Sequence, residues 1–172
     1  TAMGGRHYYL AQELAKKGHQ VYVIAGRYSH LLRNPKKFEQ QYLIEEIIPN
    51  FSFVWVNLPE YEEAHSKQRV LNWFKFSWLL RTLANVIPVK PDVILYSSPS
   101  LIGYLGAKHL ANKFNTPFIF EVRDIWPLTL MELGGHSPSH PFIKFMQWIE
   151  DRAYRKADYV FSNLYNAIEH MQ

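Results

Sequence analysis

Asp92-Val93-Ile94-Leu95-Tyr96, then Ser97-Ser98-Pro99-Ser100, then Leu101 to Phe114, then Pro117-Phe118-Ile119-Phe120-Glu121-Val122 is the stretch that decides the fold. The first run is apolar without alternation, the pattern of a strand covered on both faces. The serines and Pro99 form a turn, and Pro99 suits a first helical position. Leu101 to Phe114 reads as a helix in which Gly103 and Gly106 mark a close approach to a neighbour. Pro117 to Val122 reads as the next strand. Parallel strands need a crossover of this length, so strand, helix, strand in this order is a βαβ unit.

Toward the N-terminus the alternation continues. Gly4 and Gly5 precede a helical pattern from Arg6 to Lys17, with Leu10, Ala11, Leu14 and Ala15 at helical spacing. Gly18 ends it as a C-terminal cap. Val21 to Ala25 reads as a fully buried strand. A polar connector turns around Asn34-Pro35. Tyr42 to Ile48 is a weaker strand candidate, and Phe51 to Val56, bounded by Pro49-Asn50 and Pro59, is a clear one. Ser66 to Val86 reads as a long helix ending before Pro88 and Pro91.

Toward the C-terminus, Arg123-Asp124-Ile125-Trp126-Pro127 follows the Pro117 strand directly. A helix from Pro141 to Lys156, a short strand Tyr159 to Phe161 and a last helix capped by Asn163 complete the series. The pattern predicts an α/β, doubly wound, mostly parallel sheet of Rossmann type. The strands at Val21–Ala25, Asp92–Tyr96, Pro117–Val122 and Tyr159–Phe161 are expected to be neighbours in one sheet. Such a domain opens with a strand before its glycine turn. None precedes Gly4, so residues 1–172 read as one domain of a longer chain, with its opening strand and a second domain outside it.

The composition narrows the function classes. With 48% hydrophobic and 20% charged residues the chain is globular, not disordered. It has no cysteine, which excludes a disulfide framework and thiolate metal sites. The eight histidines show no metal-ligand spacing, so no metal is expected. The formal charge of +4 and pI near 9.2 permit an anionic partner. No basic run has the length of a nucleic-acid arm, so nucleic acid is not an expected partner. No apolar stretch is long enough to span a bilayer.

In an open α/β sheet, ligands bind outside the carboxyl ends of the strands. Gly4-Gly5, Gly26-Arg27, Ser97-Ser98 and Arg123 to Pro127 fall there. Glycines at a helix start let backbone N–H groups approach a phosphate. The three-glycine dinucleotide fingerprint is absent. Arg123 and Asp124 sit inside an apolar, aromatic run, where charges need a partner or a ligand; the other reading has the carboxylate capping the next turn. Trp126 either stacks on a sugar ring or pins the loop. Ser66 to Val86 mixes rings (Trp73, Phe74, Phe76, Trp78) with Lys67, Arg69, Lys75 and Arg81, which suits either a membrane surface or a helix packed on two sides. Its apolar positions show no narrow stripe. Glu150 and Asp151, beside Arg152 and Arg155, read as a solvated, salt-bridged helix face.

At these residues the chain resembles a known family. Gly4-Gly5-Arg6-His7-Tyr8-Tyr9-Leu10, Leu14 and Gly18-His19-Gln20-Val21 are similar to the opening of the glycosyltransferase 4-like N-terminal domain. Glu121-Val122-Arg123-Asp124-Ile125-Trp126-Pro127 with Leu133-Gly134-Gly135 resembles the subgroup of the colanic-acid and O-antigen fucosamine transferases. Glu150, Ala157-Asp158 and Ser162 follow the same spacing. The resemblance covers nearly the whole chain, and Arg-Asp-Ile-Trp-Pro is its most specific part.

The resemblance implies a bacterial, retaining GT-B transferase of hexosyltransferase type, with this chain as its acceptor-side domain. It implies a nucleotide-sugar donor and a lipid-linked or saccharide acceptor in capsule or O-antigen synthesis. It implies no cofactor, and a cytoplasmic location peripheral to the membrane. Arg123 and Asp124 would be catalytic; Gly4, Gly5, Ser97, Ser98 and Trp126 would bind substrate. Many members carry His-Asp where this chain has Arg123-Asp124, so the role of an orienting histidine does not carry over. Two other classes fit the sheet alone: a nucleotide-binding oxidoreductase or epimerase, and a non-catalytic α/β binding module.

Overall fold

A computed structural model describes residues 5–28, 35–61, 67–98, 100–135 and 137–164. The chain divides into two compact units, Thr1–Phe76 and Ser77–Gln172.

In the first unit α1 (Arg6–Lys16) leads into β1 (Val21–Gly26), and a hairpin of β2 (Tyr42–Ile48) and β3 (Phe51–Val56) follows. Gly5 is the N-cap of α1. Gly18, at φ +90°, ends it, and the His19 N–H turns back to the Leu14 carbonyl at 3.1 Å, as a left-handed C-cap should. The buried residues of α1 are the small Ala11 and Ala15, while Leu10 is exposed. Small side chains allow the helix to lie close on Phe51, Phe53 and Trp55, with which the two alanines form the core.

The strand order is β1-β3-β2. β3 pairs parallel with β1 and antiparallel with β2. Asn50, at φ +69°, supplies the hairpin turn. Both edges of β3 are therefore used, and its residues are almost all buried, whereas every residue of β1 is half-buried. The expectation of a fully buried Val21–Ala25 strand is corrected: the central position belongs to β3.

The second unit begins within α2 (Lys67–Leu80) and includes a 3-10 turn at Leu83–Asn85. It contains β4 (Ile94–Ser98), α3 (Gly103–Phe114), β5 (Phe118–Val122), α4 (Leu128–Gly134), α5 (Pro141–Lys156) and β6 (Tyr159–Ser162). These strands run parallel in the order β4-β5-β6. Tyr104 of α3 meets the rings of Phe118 and Phe120 edge-on, and Tyr154 of α5 lies against Phe120. One face of this sheet is thus covered by α3 and α5, and each buried ring there contributes roughly 1.5–3 kcal/mol.

The mixed α/β fold with parallel strands agrees with the sequence pattern. The single four-strand sheet does not form among the described residues, because β1 bonds to β3 while β4, β5 and β6 bond to one another. β4 also lies two residues further along than expected. Ser97 and Ser98 pair with Glu121 and Val122, so ladder hydrogen bonds hold them in the strand although their side chains suggest a turn. The expected first helical residue, Pro99, lies outside the described residues, as do Asn34 and the helix expected after Asn163.

α4 is a short helix that the sequence pattern did not show. α5 begins and ends as expected: Pro141 occupies its first turn, where His140 Nδ1 accepts the Phe142 N–H at 3.2 Å. Gly103 and Gly106 behave as close-approach residues. A Cβ at Gly103 would collide with the Tyr96 hydroxyl, and one at Gly106 with the Ser77 backbone carbonyl. The Gly106 N–H donates to Ser77 Oγ at 3.0 Å.

Candidate functional site

The carboxyl ends of β4, β5 and β6 are brought level by their register: Ser98 lies beside Val122, and Val122 beside Ser162. Hydroxyl groups stitch this edge together. Ser98 Oγ accepts the Arg123 backbone N–H at 3.0 Å, and Ser162 Oγ donates to the Val122 carbonyl at 2.8 Å while accepting the Leu164 N–H at 3.0 Å. Ser98 is 1% exposed, so its hydroxyl holds the loop instead of facing a ligand. Ser97 Oγ is shielded and has no hydrogen-bond partner among the described residues.

Arg123 and Asp124 leave this edge as exposed residues. Among the described residues neither side chain makes a hydrogen bond or ion pair. The capping alternative fails, because α4 has Pro127 as its N-cap and no side-chain cap bond. Thr129 Oγ1 instead donates to the Ile125 carbonyl at 2.8 Å. The premise that these charges are desolvated is also corrected: their backbone stands at a sheet edge, and the side chains reach water. What the pair offers is an anion-binding fork beside a hydrogen-bond-accepting carboxylate.

Trp126 is half-buried, with its indole nitrogen shielded, and Pro127 behind it is buried. The ring therefore holds the loop with at least one edge, which leaves only part of it for stacking. The Trp126–Pro127 peptide is cis.

Gly5 belongs to the first unit. It is exposed, its φ of −133° is ordinary extended backbone, and a Cβ there would meet nothing within 4 Å. The first turn of α1 carries no acidic residue and no side-chain cap, which leaves a helix N-terminus suited to an anion. Gly4 lies outside the described residues.

Also in the first unit, Arg27 at the end of β1 is employed internally. Its guanidinium donates to Asn57 Oδ1 at 2.8 Å, to the Lys36 carbonyl at 3.1 Å and to Glu60 Oε1 at 3.1 Å. Asn57 in turn donates to the carbonyls of Phe38, Glu39 and Gln40. This knot shapes one wall of a hollow of about 410 Å³ that Lys37 and Phe38 also line.

Three titratable residues have structural work. Glu150, expected on a solvated face, is 1% exposed. It accepts from the Tyr154 hydroxyl at 2.9 Å and from Gln147 at 3.3 Å. Desolvation, then the nearby Glu150 carboxylate, pushes the Tyr154 phenol well up. Asp158 clamps the start of β5: its carboxylate accepts the Phe118 N–H at 2.8 Å and Lys108 Nζ at 3.4 Å. The Phe118 N–H, with smaller help from Lys108, holds the Asp158 carboxyl below the usual range.

An open groove of about 380 Å³ lies between α4 and α5, lined by Met131, Ile143, Lys144, Trp148 and Asp151 among others. None of the expected site residues lines it. The described residues contain no group of three or more His, Cys, Asp or Glu placed to hold a metal ion, and no helix among them is long and apolar enough to cross a membrane.

Compared with known proteins, the chain matches the family model described as Glycosyltransferase Family 4 over residues 6–171. No curated protein matches it.

Proposed function

The chain belongs to glycosyltransferase family 4 and is a glycosyltransferase domain, working between a sugar donor and an acceptor; on that premise we propose that it is the acceptor-side domain of a retaining GT-B transferase. The donor is a nucleotide sugar, and the acceptor is a lipid-linked or oligosaccharide substrate of surface polysaccharide synthesis. The enzyme acts as a hexosyltransferase without a metal, on the inner face of the cytoplasmic membrane. The subgroup remains the one that the Arg-Asp-Ile-Trp-Pro stretch resembles, that of the colanic-acid and fucosamine transferases.

The observation that carries this reading is the exposed Arg123–Asp124 pair, whose side chains make no hydrogen bond or ion pair among the described residues. The Arg123 guanidinium would hold a phosphate oxygen pair, in donor or lipid-linked acceptor, through two parallel N–H donors. Asp124 would accept from a sugar hydroxyl and fix the ring's orientation. Ser98 positions the pair through the Arg123 backbone N–H. These interactions orient substrates and balance charge; breaking the glycosidic bond to the nucleotide needs groups of the donor-binding domain.

The test is transfer from a panel of UDP- and GDP-sugars to lipid-diphosphate and oligosaccharide acceptors, followed by product anomer analysis. Transfer with retention supports the reading. Transfer with inversion, or hydride chemistry in place of transfer, removes it. Calorimetry adds a second criterion. Nucleotide sugar should bind residues 1–172 weakly, and tight binding to this domain alone would mean that the donor site lies here.

A further inference from the structure

The helix α2 (Lys67–Leu80) buries Leu79 and Leu80 but also carries large apolar side chains on its water-facing side. Leu71 is 59% exposed, Phe74 43% and Trp78 63%. Lys67 and Lys75 on the helix, and Arg81 one residue beyond it, are exposed too. At ~100° per residue all six project from one face of roughly 120°. The polar Asn72 and Ser77 are buried instead, at 4% and 8% exposure. Asn72 Nδ2 donates to the Pro59 carbonyl at 2.7 Å, and Ser77 Oγ accepts the Gly106 N–H at 3.0 Å. A helix on a soluble surface puts its large apolar residues inward, and here three of them face out among cations.

The charge on this face has a single sign. No acidic residue occurs between Glu63 and Asp92, a stretch that carries Lys67, Arg69, Lys75, Arg81 and Lys90. The Arg81 guanidinium lies 4.9 Å from the centre of the Trp78 ring, so the largest exposed apolar group carries a cation beside it. Rings and aliphatics flanked by lysine and arginine, with no acid, match the boundary of an anionic bilayer: the apolar groups enter at headgroup level and the cations stay with the phosphates.

We propose that this face of α2 docks on an anionic lipid surface, with Leu71, Phe74 and Trp78 inserted and Lys67, Lys75 and Arg81 on the headgroups. The inference rests on the transferase reading only for its purpose, since a lipid-linked acceptor places the reaction at a membrane. A second copy of the chain is the poorer occupant. A two-fold contact through this face would set its cations against the same cations.

The experiment is co-sedimentation of the protein with phosphatidylcholine vesicles, with and without phosphatidylglycerol, at low salt. Binding is expected only to the anionic vesicles, falling as salt rises. Each cation near such a surface raises partitioning roughly fivefold, so Lys75→Glu/Arg81→Glu should lower binding about 25-fold or more. Trp78→Ala should lower it on the order of tenfold through lost apolar burial. These residues are exposed, so melting curves should be unchanged. Phe74→Tyr, which keeps most of the ring, should retain binding. Quenching of tryptophan fluorescence by brominated lipid should weaken in Trp78→Phe. Failure to bind anionic vesicles overturns the proposal, as does undiminished binding by the double charge reversal or a dimer that Trp78→Ala dissolves. None of these outcomes depends on sugar transfer, and transfer to a water-soluble acceptor tests the enzymatic reading separately.

Discussion

Replacing Arg123 by alanine should separate function from stability cleanly. The side chain is exposed and bonds to nothing among the described residues. The one contact that ties this residue down, to Ser98 Oγ at 3.0 Å, uses the backbone N–H and survives the substitution. Stability should therefore change by no more than about 0.5 kcal/mol, which is a Tm shift of roughly 1–2 °C for a chain of this size. Transfer should suffer far more. A bidentate, charge-assisted contact to a phosphate is worth about 2–4 kcal/mol, or roughly 30- to 1000-fold in kcat/KM. Arg123→Lys keeps the charge and loses the planar fork, so it should recover part of the loss. The assay is initial-rate transfer at several donor and acceptor concentrations, beside thermal melts of each variant. A lowered Tm with unchanged activity per folded molecule would return Arg123 to loop structure. Full activity in both variants would remove it from the site.

Gly106→Ala should destabilise by about 1–3 kcal/mol, because its Cβ would collide with the Ser77 carbonyl; a rise in Tm, which helix propensity alone favours, would show that the two backbones can separate freely. Asp158→Ala should cost about 1–2 kcal/mol in urea melts by leaving the Phe118 N–H without its acceptor. The lowered Asp158 carboxyl stabilises the fold above the unfolded value of about 3.9. That contribution should be lost as pH falls through the folded value. The stability gap between wild type and Asp158→Asn should therefore close in acid, and a gap that persists at the lowest accessible pH would refute the linkage. Tyr154→Phe should lower stability by about 1–2 kcal/mol, since a buried carboxylate loses a donor at 2.9 Å, while transfer per folded molecule stays unchanged.

What the sequence made legible was local. Gly18 stops α1 because a left-handed residue is needed there, and Pro141 opens α5 because a first-turn residue needs no N–H bond partner. The apolar run at Phe118–Val122 could only be a buried strand. What stayed hidden depended on partners distant in the chain. Ser97 and Ser98 belong to a strand only because Glu121 and Val122 lie beside them. Val21–Gly26 pairs with β3 because both edges of that strand seek partners. Glu150, in a charged helical run, is buried because Tyr154 one turn later returns its hydroxyl. The face of α2 was obscured by Leu79 and Leu80, which are apolar and buried, while Leu71, Phe74 and Trp78 on the same helix are exposed. Both sides of the helix look hydrophobic, and only burial tells them apart. The loop Arg123–Pro127 follows β5 as the sequence pattern has it, but Arg123 and Asp124 are exposed there, so burial is not what sets these charges apart.

On the proposed reading, the residues assigned to substrate are those for which the described part of the fold has no use. Gly106 and Gly5 show the contrast. A side chain at Gly106 is barred by the Ser77 backbone, so the fold explains that glycine completely. At Gly5 the backbone is ordinary and a Cβ would meet nothing within 4 Å, so no described residue requires a glycine there. The same contrast separates two aspartates. Asp158 holds the Phe118 N–H and Lys108, and its carboxylate is engaged in keeping β5 and β6 level. Asp124 follows the end of β5, and its side chain makes no hydrogen bond or ion pair among the described residues. An exposed aspartate is ordinary in isolation. This one stands beside Arg123 at the carboxyl edge where an open parallel sheet receives ligands, and among the described residues the two exposed charges do not pair with one another. A substrate carrying both an anionic group and hydroxyls can then engage each of them without first breaking an intramolecular ion pair.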